Sequence, residues 1–175
     1  MTLCFVSRVE RSKGLDTLKE VSTVLSECRL DRYVKIDFYG QKTDTYFDEH
    51  FNTKGMYEYK GVLQPNEVIP TLMKYDALIF PSHYDGEGCP GILVEALSAS
   101  LPIIASDWKY NGEFVTNFDN GFLCDTFNPN EYVEAIEVLL LNKVLRERMA
   151  KRAYEKSREF SVSKARSLMQ EYIDA

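Results

Sequence analysis

The sequence predicts an α/β domain built on a doubly wound, mainly parallel sheet. Short apolar stretches alternate with segments of helical periodicity from residue 3 to about residue 141. The run at residues 76–81 (DALIFP) is apolar without alternation, the pattern of a strand covered on both faces. The chain has 175 residues, 45% apolar and 27% charged, which is enough for one domain with a sizeable core.

Residues 3–6 read as the first strand, and a charged loop follows at 7–13. Leu15, Leu18, Val21, Val24 and Leu25 recur at helical spacing within residues 14–27. A β-rich stretch at 34–39 ends at Gly40, and residues 41–50 form a polar loop or short helix. A short strand at 56–59 closes at Gly61, and a helical segment at 65–75 is interrupted by Pro70. After the strand at 76–81 come a helix at 90–99, a strand at 102–105 and a last strand at 121–124. Asn128-Pro129-Asn130-Glu131 carries the signals of a helix start, with Phe127 and Tyr132 spaced to form a hydrophobic staple. Val133, Ile136, Leu139 and Leu140 continue that helix, and charged helical sequence follows from Lys143. A single domain is expected, with its sheet core at about 2–125 and its carboxyl-terminal helices at about 128–174.

The formal net charge of -6 argues against general nucleic-acid binding, yet leaves room for one anion held by a local cluster of cations. No apolar run reaches the roughly 20 residues of a membrane span, and residues 1–6 lack the basic start of a signal peptide. Cys4, Cys28, Cys89 and Cys124 are scattered, so a reduced, cytoplasmic chain is expected in which each is a small buried apolar residue. Neither His50 nor His83 has a second ligand at metal-binding spacing, so no metal site is expected.

Ligands of doubly wound sheets bind beyond the carboxyl ends of the strands, which directs attention to residues 7–13, 40–43, 82–90 and 106–112. The helix at 90–99 is apolar on most sides, with Glu95 as its only charge. Such a carboxylate needs either a structural ion pair with a nearby Lys or Arg, or a ligand. Before it, Asp85-Gly86-Glu87-Gly88-Cys89-Pro90-Gly91 is either an ordinary acidic surface loop or the lip of a site. In the second case the amides of Gly91, Ile92 and Leu93 face an anion at the helix amino terminus. Arg8 and Lys13 follow the first strand and are either solvated or a clamp for a diphosphate, while Arg11 between them faces solvent.

Arg8 and Lys13-Gly14, the strand Leu78-Ile79-Phe80-Pro81-Ser82, and Glu87 and Glu95 within EGCPGILVEAL together resemble the carboxyl-terminal domain of retaining GT-B glycosyltransferases. Asn120-Gly121-Phe122-Leu123 matches a further turn of that family. More narrowly the chain resembles family four, which includes sucrose-phosphate synthases and many lipopolysaccharide or capsule glycosyltransferases, over residues 3 to about 141. The resemblance implies a nucleoside-diphosphate sugar as substrate, with no cofactor and no metal. It assigns Arg8 and Lys13 to the donor diphosphate, Glu87 to the sugar hydroxyls, and Glu95 to the ribose. Gly91, Ile92 and Leu93 would meet the phosphates, Gly40 would border the crevice, and the base would lie near residues 59–63, including Lys60 and Leu63.

The resemblance further implies a saccharide or lipid-linked acceptor bound by an amino-terminal domain. Because the first strand begins at Leu3, half of an enzyme is expected, able to bind donor but to transfer sugar poorly alone. The alternative is a non-catalytic nucleotide-sugar-binding or regulatory module. An oxidoreductase is disfavoured because no G-x-G-x-x-G follows the first strand. The tail shows sparse apolar positions at Met149, Ala153, Phe160 and Leu168. Glu147, Glu155, Glu159 and Glu171 weaken any peripheral membrane contact, which stays open as an expectation.

Overall fold

The computed structural model describes residues 1–51 and 55–173, apart from the side chains of Leu168, Glu171 and Tyr172. Leu168 and Glu171, named above from the sequence, therefore lie outside what is described. A parallel sheet of six strands forms the centre, in the order β3-β2-β1-β4-β5-β6. Its strands are β1 (Thr2–Val6), β2 (Lys35–Tyr39), β3 (Tyr57–Gly61), β4 (Ala77–Phe80), β5 (Ile103–Ser106) and β6 (Gly121–Cys124). This is the doubly wound arrangement predicted, with the direction of strand addition reversing between β1 and β4.

Alternation along the strands divides the core into two layers. Leu3 and Phe5 of β1, Ile79 of β4 and Ile104 of β5 face one layer, under α1 (Leu15–Glu27), α2 (Tyr46–His50) and α6 (Pro129–Leu141). Phe38 sits there among the rings of Phe5, Phe47, Phe51 and Tyr57 at centroid distances between 4.9 and 5.6 Å. Burying each such side chain stabilises the fold by about 1.5–3 kcal/mol. Cys4, Leu78, Phe80, Ile103 and Ala105 face the other layer. It is covered by α3 (Val68–Leu72), α4 (Gly91–Ser98), α5 (Asn111–Phe114) and α7 (Lys143–Ser157). A last helix, α8 (Val162–Ile173), ends the described chain, and no described helix is long and apolar enough to cross a membrane.

Several local expectations are corrected. Phe127 is exposed with its ring 5.4 Å from that of His83, while Tyr132 is fully buried, so the hydrophobic staple does not form. Asn128 does cap α6, but Glu131 accepts from the amide of Asp125 rather than that of Asn128, because the preceding turn brings Asp125 nearer. Cys4 and Cys124 are buried as expected, whereas Cys28 and Cys89 lie in exposed loop positions. The helix α4 is not buried all round: Leu93, Ala96 and Leu97 enter the core, and Ile92, Val94 and Glu95 are half-buried. The residues Met149, Ala153 and Phe160 do anchor the tail, the first two fully buried and the third stacked on Phe114 at 4.8 Å.

Candidate functional site

The parallel sheet places every strand's carboxyl end on one edge, and the order of strand addition reverses between β1 and β4, where doubly wound sheets take their ligands. Two glycines let the strand ends close up. Gly40, at φ +135°, passes so near β1 that a Cβ would stand 1.7 Å from the carbonyl oxygen of Ser7. At Gly14, φ is +91° and a Cβ would lie 2.1 Å from the carbonyl oxygen of Pro81, so the turn after β1 presses against the turn after β4. Buried Val9 ties the first loop to the second, its amide donating to the carbonyl of Gln41 at 2.9 Å.

These approaches bring Lys13 and Glu87 together across 74 residues of chain. The Lys13 ammonium donates to Glu87 Oε2 at 2.6 Å, and both side chains are largely withdrawn from solvent, 8% and 12% exposed. The hydroxyl of Ser82 donates to the same carboxylate oxygen at 2.6 Å. Lys13 also stands 4.2 Å from the centroid of the Tyr84 ring, and the Arg8 guanidinium lies 5.2 Å from it. Arg8 is exposed and pairs with Glu10 at 3.2 Å, and Glu10 in turn accepts from Ser12 at 2.5 Å. One aromatic ring therefore carries both cations at this edge. Arg11 pairs with Asp16 at 2.9 Å on the outer surface, away from this cluster, as expected.

The acidic loop after β4 is held from the far side as well. The indole of Trp108 donates to the carbonyl of Tyr84 at 3.1 Å, and the ammonium of Lys109 donates to the carbonyl of Asp85. Lys109 itself occupies the left-handed region at φ 49°. Asp85 and Glu87 are thus separated, the first exposed and the second turned inward on Lys13. Among the described residues no group of His, Cys, Asp and Glu is arranged to hold a metal.

The Glu95 side chain has no hydrogen bond or ion pair among the described residues, so the structural ion pair that was one sequence reading is not made. Partial burial pushes its carboxyl above the ordinary carboxylate value. Of the three amides expected to face an anion, that of Leu93 is taken by the carbonyl of Pro90 at 3.0 Å. Those of Gly91 and Ile92 have no partner among the described residues, and a Cβ on Gly91 would meet nothing within 4 Å. The amino end of α4 is therefore open.

Gly40 stands at the carboxyl end of β2 on the same sheet edge, joined to β3 through its amide and the carbonyl of Gly61 at 2.9 Å. Leu63 follows the carboxyl end of β3 on the same edge. The Lys60 side chain lies on the strand face, where alternation puts it beside Glu58: its ammonium pairs with Glu58 at 2.5 Å and lies 3.8 Å from Asp37, in a charged ladder that also includes Lys35. Sequence reasoning directed attention to the segments that hold Tyr84, Ser106 and Trp108 but did not single these residues out, because nothing local marks a residue whose partner is a distant loop.

The geometry is joined by sequence kinship over most of the chain: residues 1–156 match the family described as glycosyl transferases group 1. The chain belongs to that family. A protein described as an uncharacterized glycosyltransferase of Methanocaldococcus jannaschii is 34% identical over 99 residues, 57% of this chain and 28% of that protein. The poly(ribitol-phosphate) alpha-N-acetylglucosaminyltransferase of Staphylococcus aureus is 25% identical over 156 residues, 86% of this chain and 30% of that enzyme. The group 1 chain thus spans less than half the length of these relatives. Among solved structures, a S. aureus TarM mutant in complex with fondaparinux, alpha-GlcNAc-glycerol and UDP superposes with a TM-score of 0.83 at 23% identity, covering 99% of this chain and 34% of that one. The carboxyl-terminal domain of a Francisella tularensis glycosyl transferase group 1 protein gives 0.74 at 17% identity, covering 92% of this chain and 86% of that one. Both show the fold, that of the carboxyl-terminal half of GT-B glycosyltransferases.

Proposed function

We propose that this group 1 domain binds a nucleoside-diphosphate sugar in the crevice between β1 and β4, for retaining transfer of the sugar to a saccharide or lipid-linked acceptor. The observation that carries the reading is the cluster of Lys13, Arg8 and Tyr84 around Glu87, in the loop that leads into the open amino end of α4. Cleavage of the anomeric bond places negative charge on the diphosphate. Arg8, Lys13 and the amides of Gly91 and Ile92 offer positive charge at that point, where a partly dry setting strengthens each interaction. In this reading these side chains stabilise the leaving group without a metal. The acceptor hydroxyl attacks the anomeric carbon as the carbon–phosphate oxygen bond breaks, and its proton passes to the departing diphosphate.

The Lys13–Glu87 pair links phosphate and sugar recognition. A diphosphate drawing Lys13 toward itself leaves Glu87 with the Ser82 hydroxyl and an accepting oxygen free for a sugar hydroxyl. Glu95, unpartnered and half-buried, takes the ribose hydroxyls. Two relatives support a uridine nucleotide: TarM and a pneumococcal O-GlcNAc transferase, GtfA, have both been captured with UDP. The acceptor site is assigned to a partner domain, so transfer by this chain alone is expected to be weak.

A thermal-shift panel of uridine, guanosine and adenosine diphosphates and their sugars tests the reading. A rise in midpoint with one base, abolished by Arg8→Ala, is expected. No rise with any of them would overturn donor binding, and an Arg8→Ala chain with unchanged affinity would overturn the diphosphate clamp.

A further inference from the structure

We propose that Asn111, Ser106 and Ser82 form a buried hydrogen-bond chain that positions Glu87, so that residues at the end of β5 govern how well the site tells a sugar nucleotide from the bare nucleotide. The inference rests on the donor reading above, which gives Glu87 the sugar. The links are explicit. The Asn111 side-chain amide donates to the carbonyl and the hydroxyl oxygen of Ser106 at 3.0 and 3.2 Å. The Ser106 hydroxyl donates to the carbonyl of Ser82 at 2.5 Å, and the Ser82 hydroxyl donates to Glu87 Oε2 at 2.6 Å. Asn111, Ser106 and Ser82 are at most 1% exposed, so water does not replace any link.

The chain has one possible direction. Both carbonyls can only accept, which commits the Ser106 proton to Ser82 and turns the Asn111 NH2 group toward Ser106. The Ser82 hydroxyl accepts from the Tyr84 amide at 3.4 Å and has the Glu87 carboxylate as its own acceptor. Asn111 Oδ1 is left buried without a partner among the described residues. A buried unpaired acceptor is unfavourable, and an apolar side chain would avoid it, so the position is occupied for its NH2 group. Lys13 meets the same Glu87 oxygen as Ser82. Two donors converge on one oxygen and leave the other without a donor among the described residues; Ser82 keeps its hold on the carboxylate if Lys13 is drawn to a diphosphate.

Ser82, Ser106 and Asn111 are positioning residues, and the test separates them from general scaffolding. Calorimetry on the whole chain would use UDP and UDP-N-acetylglucosamine as probes. In Ser82→Ala the affinity for the sugar nucleotide should fall about tenfold, and in Ser106→Ala about fivefold, with UDP affinity held within about twofold. Equal losses for the two ligands would overturn the proposal. Adding Ser106→Ala to Glu87→Gln should produce no further loss of discrimination, and an additive loss would count against it. A second arm needs no ligand: amide exchange at Tyr84 and Glu87 should quicken about fivefold or more in Ser106→Ala while α6 is unchanged. Unaltered exchange at those two amides sinks the chain even if donor binds. Failure of the unaltered protein to bind either probe sinks the donor reading instead, with the exchange result then deciding the hydrogen-bond chain.

Discussion

Glu87 and Glu95 stand eight residues apart in one stretch of sequence, and the fold treats them in opposite ways. Glu87 leaves the loop after β4, turns inward and receives a lysine and a serine on one oxygen. Glu95 rides on α4, half-buried, with no partner among the described residues and its carboxyl pushed up by desolvation. The first carboxylate is compensated by the protein, so its energy is part of folding. The second has no side-chain partner among the described residues, and in the donor reading proposed above its acceptor-only oxygens suit hydroxyl donors rather than phosphate.

The contrast can be broken most forcefully at Lys13. Lys13→Ala leaves Glu87 largely buried without its cation, and loss of one partner of such a pair costs about 3 kcal/mol. Urea denaturation should show that loss, and calorimetry should show UDP affinity down by a factor of about 100 or more, since the same ammonium serves the diphosphate. Retained stability would mean that Glu87 is satisfied by Ser82 alone. An intermediate effect is expected at Tyr84. Removing its ring in Tyr84→Ala should weaken UDP binding about tenfold by releasing both cations, whereas Tyr84→Phe should change it little, the hydroxyl having no partner among the described residues. Equal losses in the two variants would move the effect from the ring to the hydroxyl.

The smallest effect belongs to Glu95. Its folded pKa lies above the unfolded value of 4.5, so the stability linked to it is present below that value and is lost as pH rises through the folded pKa. Glu95→Gln should therefore raise the melting midpoint at pH 7 by about 1–2 °C, an advantage that disappears in acid below the unfolded value. It should at the same time weaken UDP binding severalfold. A midpoint that falls at pH 7 would show that Glu95 already has a stabilising partner.

How far these features could be read beforehand depends on the range of the interaction. The strand run at 76–81, the end of β2 at Gly40 and the cap at Asn128 follow from short-range pattern and appear in the fold. A motif draws attention to Lys13 and Glu87 separately, but nothing in the sequence marks them as partners of each other. Glu95 was legible because a lone charge on an apolar helix violates the local pattern. Ser106 and Asn111 lie in a segment with no such violation, and their meaning arises only where β5 meets the loop after β4. Phe127 shows the converse error: its spacing from Tyr132 fits a staple, yet the ring finds His83 from another loop.

The 74-residue separation of Lys13 and Glu87 also sets when the site can exist. Their meeting waits for β1 to pair with β4, a non-local parallel contact whose loop must close before any reward is gained. If the proposed donor site is correct, nucleotide binding is consequently among the last properties acquired by the refolding chain. A stopped-flow trace of ligand capture would lag behind the recovery of helical signal, which α1 and α6 can begin to supply from local sequence.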